Sequence, residues 1–255
     1  MKIGIFDSGL GGLWVLRKLR EAYPAYDYAF FGDQANVPYG NKTIEELMVC
    51  TQKALKHLYQ DQNCQVVMLA CNTTSSTIYG DLQAWVEQEF PGRVLLDIVS
   101  PTVDFVKDKG SIVFFGTRRT VMSHAYRDAL PGSAVHEVAM PELATMIEDG
   151  DDTLKYISLF KDLIPADVST GALVCTHYGI KLDDFKNTFT NISEWVAQED
   201  IVPKYFESYF SQHPDLVSKL NKNGTLEVAI SADSAVFRKF LNEWFGSTEP
   251  SVINV

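Results

Sequence analysis

Two cysteines stand where a thiol could do acid–base work. Cys71 follows Val-Val-Met-Leu-Ala and precedes Asn-Thr-Thr-Ser-Ser, so it falls where a buried strand gives way to the polar start of a helix. Helix N-termini carry unpaired N–H groups and the positive end of the dipole, which favour a thiolate or a bound anion. Cys175 follows Ala-Leu-Val and adds His177 two residues on, an imidazole near enough to act as acid, base or orienting partner. A plainer reading stands against each: an isolated cysteine is more often a small buried hydrophobe, and a lone histidine a satisfied structural residue. Two such junctions in one chain weaken both plainer readings.

Asp7-Ser8-Gly9-Leu10-Gly11-Gly12 follows the first strand and opens a helix, the place of a phosphate-cradling loop. It fails the dinucleotide pattern, because the third glycine position is Trp14, and it has no Walker lysine. The glycines read as a tight turn with close helix–strand packing, and Asp7 reads as a helix N-cap as readily as a catalytic group. Pro38-Tyr39-Gly40 lies in a turn-rich loop and could present amides and a tyrosyl ring to a ligand, or be a turn and nothing more. His57, His124, His136 and His213 lack metal-ligand spacing and read as structural or surface residues, so no metal site is expected. The four cysteines show neither a disulfide framework nor CxxC pairs and read as free thiols.

The elements that must carry these residues are short β-branched or aromatic runs alternating with helical stretches. Strands are expected at 2–6, 28–31, 65–70, 94–98, 111–115, 134–138, 172–174 and 226–230, and helices at 13–22, 43–60, 74–89, 120–129 and 141–148. Such alternation predicts an α/β fold with parallel sheets covered on both faces. A loose internal symmetry runs through it. Strands ending at Phe6 and Ala70 in the first half match strands ending at Phe115 and Val174 in the second, so each half sets one cysteine beyond a strand's carboxyl end, where open α/β sheets bind ligands.

The chain has 255 residues, 22 Lys plus Arg against 33 Asp plus Glu, and a formal net charge of −11. That balance argues against nucleic acid, which is bound by clustered cations. At 46% hydrophobic the chain can bury a core, and the length allows one or two domains. No run reaches the roughly 18 apolar residues of a membrane helix, and the amino terminus lacks a secretion signal, so the expected compartment is the cytoplasm.

FDSGLGGLWVL, FGDQANVPYG, ACNTTSS, FFGTRRTVMSHAY and VCTHYG occur in the order and at the spacings of the glutamate racemases, members of the cofactor-independent aspartate/glutamate racemase superfamily. The resemblance runs from residue 3 to about residue 180 and is weaker afterwards, although Ile230-Ser231-Ala232-Asp233 resembles a segment near the family's carboxyl end. It implies two pseudo-symmetric α/β domains with mostly parallel sheets flanked by helices and an active site in the cleft between them. The implied boundaries give a discontinuous first domain, 1–96 plus 206–255, and a second, 97–205.

Carried over by position, the resemblance makes Cys71 and Cys175 the two acid–base residues, one on each face of a substrate α-carbon. Asp7 would support Cys71, His177 would support Cys175, and Glu148 would be an auxiliary acid or orienting group. The implied substrate contacts are Asp7, Ser8, Pro38, Tyr39, Gly40 and Asn72 from the first half, with Thr73, Thr117, Thr120, Thr176 and His177. Neither cofactor nor metal is implied; the partner is a small amino acid, and relatives are often dimers. The implied activity is interconversion of L- and D-glutamate, supplying the D-isomer for peptidoglycan. The carbanion-like charge that forms would need preorganised N–H and hydroxyl donors. Ser8, Tyr39, Asn72, Thr73, Thr117 and Thr176 would offer neutral donors, with no lysine or arginine, so the cleft is expected to be far less negative than the surface.

The pattern also departs from the family, which usually reads GCTHYP where this chain has Val174 and Gly179, and the following Ile180-Lys181-Leu182-Asp183-Asp184 is more polar than usual. These changes remove no catalytic side chain. They leave open an aspartate or other amino-acid racemase and a catalytically weak binding or regulatory relative. A Cys–His hydrolase would explain only one of the two cysteine junctions.

Overall fold

Neighbouring residues on the central strands point into different cores. Ile3, Ile5, Val66 and Met68 enter one cluster, while Phe6, Val67 and Leu69 enter another on the opposite face of the same sheet. The period-two alternation of a strand makes this possible only if both faces are covered, hence the near-continuous apolar runs. Each fully buried Leu, Ile or Phe contributes roughly 1.5–3 kcal/mol relative to exposure.

The computed structural model describes residues 1–246 and 248–253. Ser247, Asn254 and Val255, which the expected first domain includes, lie outside the described residues. In chain order the first part holds β1 (Lys2–Asp7), α1 (Gly12–Ala22), β2 (Tyr28–Gly32), α2 (Ile44–Lys56), β3 (Cys64–Leu69), α3 (Asn72–Glu89), β4 (Val94–Asp97) and α4 (Val99–Val106). The middle holds β5 (Ile112–Gly116), α5 (Arg118–Ser123), α6 (Ala125–Asp128), β6 (Val135–Ala139), α7 (Leu143–Asp149), α8 (Leu154–Ser158), β7 (Thr170–Val174), α9 (Leu182–Thr188) and β8 (Glu194–Ala197). The chain then returns through α10 (Gln198–Gln212), α11 (Pro214–Val217), β9 (Leu226–Ile230), α12 (Ala235–Phe245) and β10 (Ser251–Val252).

The strands form two parallel sheets, ordered β10-β9-β2-β1-β3-β4 and β6-β5-β7-β8. Within them β2-β1-β3-β4 and β6-β5-β7-β8 follow the same order, so β1 corresponds to β5 and β3 to β7. The cysteines after β3 and β7 therefore occupy equivalent positions, and Ser8 and Thr117 open the loops after β1 and β5.

Differences from the expected elements have local causes. The expected helix 43–60 is α-helical only to Lys56, and His57–Asp61 continues as a π-turn, with His57 buried against Phe31 and bonded to Asp61. The expected helix 120–129 is two short helices, because His124 takes a left-handed φ of 53° between them. Strand β8 begins with a charged residue and was not anticipated. Nor was α10, which contains Pro203 yet buries Val202, Phe206 and Phe210 against the core shared with α1.

Candidate active site

A cavity of about 360 Å³ opens between the carboxyl ends of the two sheets. Its wall includes Ser8, Pro38, Tyr39, Gly40, Cys71, Asn72 and Thr73 from the first part of the chain. From the second come Thr117, Glu148, Cys175, Thr176 and His177. Asp7 and Thr120 stand behind that wall. Asp7 is fully buried, and Thr120 reaches the site through Thr117, whose hydroxyl lies 3.0 Å from its own.

Cys71 caps the N-terminus of α3 and is 4% exposed. Its thiol donates to the Ser8 hydroxyl at 3.4 Å. Burial and the nearby Asp7 carboxylate push its pKa up, against the Ser8 hydroxyl and the Thr74 hydroxyl and amide, which favour the thiolate. Cys71 therefore rests as a thiol at neutral pH. Cys175, 7% exposed, has its sulfur 3.8 Å from His177 Nδ1.

His177 Nε2 donates to Glu148 Oε1 at 2.7 Å. Burial alone would lower the histidine's pKa, but the hydrogen bonds and charges of Cys175 and Glu148 hold it well above 6.5. Burial would likewise raise Glu148, and its bond to His177 outweighs that and lowers it. The result is an imidazolium donating to Glu148 from one nitrogen and facing Cys175 with the other. Glu148 Oε1 also accepts from Leu10 N at 3.1 Å, tying the second lobe to the glycine loop of the first.

Asp7 accepts from Gly9 N and Gly12 N and from the Thr176 hydroxyl across the cleft. Burial raises its pKa from 3.8 to about 6, against the His177 charge and those amide bonds. The folded state then holds this proton more tightly than the unfolded chain. Stability is lost as pH climbs from about 4 to about 6, and the full cost, about 3 kcal/mol in order of magnitude, persists above that window. Asp7→Asn keeps the acceptor oxygen and removes the charge. Its stability advantage over wild type is expected to widen between about pH 4.5 and pH 7.5 in chemical denaturation; a constant difference would contradict this account.

Tyr39 donates to Asp33 Oδ2 at 2.5 Å, and Asp33 also accepts from Asn36 and from Ser231, so the Ser231 segment braces the Pro38-Tyr39-Gly40 wall. Thr73 and Thr117 join hydroxyls across the cleft at 2.9 Å. Asn72 lines the cavity, but its side-chain amide is engaged behind the wall by Gln198 and Tyr126.

One expectation is corrected: the wall does contain a cation. Arg118, the first residue of α5, lines the cavity, and among the described residues it makes no hydrogen bond or ion pair. Asp149 also lines it. Among the lining residues, the Glu148 and Asp149 carboxylates stand with the Arg118 guanidinium and the His177 imidazolium, and the buried Asp7 carboxyl lies just behind them. Sequence reasoning also missed Gln34 and the start of α12, Ser234 to Val236, which close one end of the cavity. Arg118 was findable, since it stands between the two threonines already singled out in Gly-Thr-Arg-Arg-Thr.

No protein-family model matches the chain. It is 32% identical to a glutamate racemase of Lactobacillus johnsonii, over 80% of this chain and 78% of that one. The chain belongs to the glutamate racemase family. A glutamate racemase of Aquifex aeolicus is 33% identical over 76% of this chain and 77% of that protein. A crystal structure of glutamate racemase from Thermus thermophilus in complex with β-chloro-D-alanine superposes with a TM-score of 0.83 at 26% identity, covering 100% of this chain and 96% of that one.

Family membership makes the departure at Gly179 informative. A Cβ there would lie 2.8 Å from Glu199 Oε1, and that carboxylate accepts from Trp14 Nε1 at 2.6 Å. The glycine leaves room for a buried acid joining α10 to α1. A racemase of this family with proline at the position could not keep Glu199 where it stands here.

Proposed function

We propose that this protein is a glutamate racemase that interconverts L- and D-glutamate with Cys71 and Cys175 as its two acid–base groups. The observation that carries this reading is that two cysteines from equivalent strand ends line one cavity, each with a hydroxyl or imidazole partner. A single base would return the proton to the face it came from. With two, the α-carbon–hydrogen bond breaks as one thiolate takes the proton, and the opposite thiol gives its proton to the other face. Cys71, held as a thiol by burial and Asp7, serves as donor when Cys175 is the acceptor. The roles exchange in the reverse direction.

Ser8, Thr73, Thr117 and Thr176 offer hydroxyl donors, and the α3 and α5 N-termini offer N–H groups, to the substrate carboxylates and to the carbanion-like charge. Glu148 orients His177, and Asp7 holds the glycine loop from behind. The reading includes supply of D-glutamate for peptidoglycan, a cytoplasmic location and a homodimer. Among the described residues no helix is long and apolar enough to cross a membrane. It also divides the chain into 1–96 with 206–255 and 97–205. The strand membership of the two sheets supports that division, although α10 crosses the second boundary.

Incubation with L-glutamate in heavy water tests the proposal: D-glutamate carrying α-deuterium is expected. Neither product nor exchange would reject it. Arg118 on the cavity wall adds a cation for one of the substrate's two carboxylates. Arg118→Ala is expected to raise KM for glutamate by roughly fivefold with kcat little changed, as an exposed charge contact worth about 1 kcal/mol would. An unchanged KM in low salt would remove Arg118 from recognition.

A further inference from the structure

Gln198 opens α10 directly after β8, far in sequence from Cys71, and is 2% exposed. Its side chain pairs face to face with that of Asn72: Asn72 Nδ2 donates to Gln198 Oε1 at 2.6 Å, and Gln198 Nε2 donates back to Asn72 Oδ1 at 3.0 Å. The same Nε2 lies 2.8 Å from Thr102 Oγ1 and 3.0 Å from the Tyr126 hydroxyl. Tyr126 in turn donates to Asn72 Oδ1. One amide thus joins the starts of α3 and α10 to α4 and α6, all in buried surroundings.

Asn72 is the residue after Cys71 and the first of α3, and Thr73 beside it bonds Thr117 across the cleft. The turn that carries Cys71 is therefore held from behind by a network whose hub is Gln198. Among the described residues no comparable amide hub stands behind Cys175, whose neighbour Thr176 reaches Asp7 instead. Buried amides without partners are costly, so removing the hub frees the Asn72 side chain to seek new ones and the turn to move with it.

We propose that Gln198 is a positioning residue for the Cys71 half of the site: it fixes the Cys71-Asn72-Thr73 turn against the second lobe without touching substrate. The proposal rests on the two-cysteine reading for its kinetic consequence, but not for its structural one. Both are tested with Gln198→Met, which keeps the volume and removes the amide.

Alkylation by iodoacetamide, followed by peptide mass spectrometry, is expected to label Cys71 roughly fivefold faster than in wild type, with Cys175 within about twofold. In racemisation assays kcat is expected to fall about tenfold with KM within about twofold. Primary deuterium isotope effects measured from the two glutamate enantiomers should separate, because only one direction uses Cys71 as the base. A general loosening of the fold would instead speed labelling of both cysteines and leave the isotope effects equal, which would overturn the proposal. So would Cys71 labelling unchanged from wild type.

If wild type itself does not racemise glutamate, the functional reading fails while the labelling contrast still decides the role of Gln198. Should Gln198→Met not fold, Tyr126→Phe removes one spoke of the hub and is expected to bias labelling toward Cys71 in the same sense; equal labelling there would also overturn the proposal.

Discussion

Cys71→Ser and Cys175→Ser are each expected to lose at least about 10³-fold in kcat for racemisation of either enantiomer. Serine is close to cysteine in size, so the cavity and its hydrogen bonds survive, and the loss reports on acid–base chemistry alone. A hydroxyl is far weaker as an acid than a thiol, and neither the α3 N-terminus beside Cys71 nor the imidazolium beside Cys175 makes up that gap. Because each direction needs one group to take the proton and the other to give one, either substitution stops both directions. The variants should keep wild-type thermal stability and bind D-glutamate, measured by calorimetry. Activity within about tenfold of wild type in either variant would defeat the two-base assignment, since acid–base contributions are typically 10²–10⁴-fold.

A second large effect is expected from a residue with no chemistry of its own. Gly11 has φ −60° and ψ −31°, a conformation any residue adopts, so alanine is not strained there by its backbone. Space is the constraint. An added Cβ would fall 2.5 Å from Thr176 Oγ1 and 2.7 Å from both His177 N and the Thr176 carbonyl carbon. Two of those three contacts are main chain and cannot rotate away. The glycine loop of one lobe and the Cys175-Thr176-His177 turn of the other must separate, and the Asp7–Thr176 and Leu10–Glu148 hydrogen bonds across that seam stretch with them.

A displacement of about 1 Å in a catalytic constellation costs on the order of 10²-fold in rate, and Gly11→Ala is expected to lose that much in kcat. Gly80→Ala is the control: Gly80 lies in α3 with nothing within 4 Å of an added Cβ, and the substitution should be neutral for activity and stabilise by up to about 1 kcal/mol. Gly11→Ala with full activity would mean that the two lobes do not close on this loop.

Comparison of these residues shows where sequence reasoning reaches. Cys71 and Cys175 were legible because their signal is local: a buried apolar run, then a thiol, then helix-starting polar residues, twice. Glu148 came only through the family resemblance, since nothing in its own neighbourhood distinguishes it from other acids. Gly11 was read as a turn glycine, but its backbone angles are ordinary and its reason lies in Thr176 and His177, far along the chain. Arg118 was overlooked because the cleft was expected to hold neutral donors only. Gln198 carried no motif at all, and its partners Asn72, Thr102 and Tyr126 come from three other helices.

The sequence by itself determined the α/β class, the parallel sheets and the strand ends that carry the thiols, because strand periodicity and helix-start chemistry are written within a few neighbouring residues. Only the tertiary structure decided the rest. It brought His177 onto Glu148, Asp7 under Thr176, and Gln198 behind Asn72, and it set Arg118 on the cavity wall. Burial, pKa and close approach depend on atoms that meet only after the two sheets pack, and no local pattern encodes contacts between residues 29, 126 or 169 positions apart.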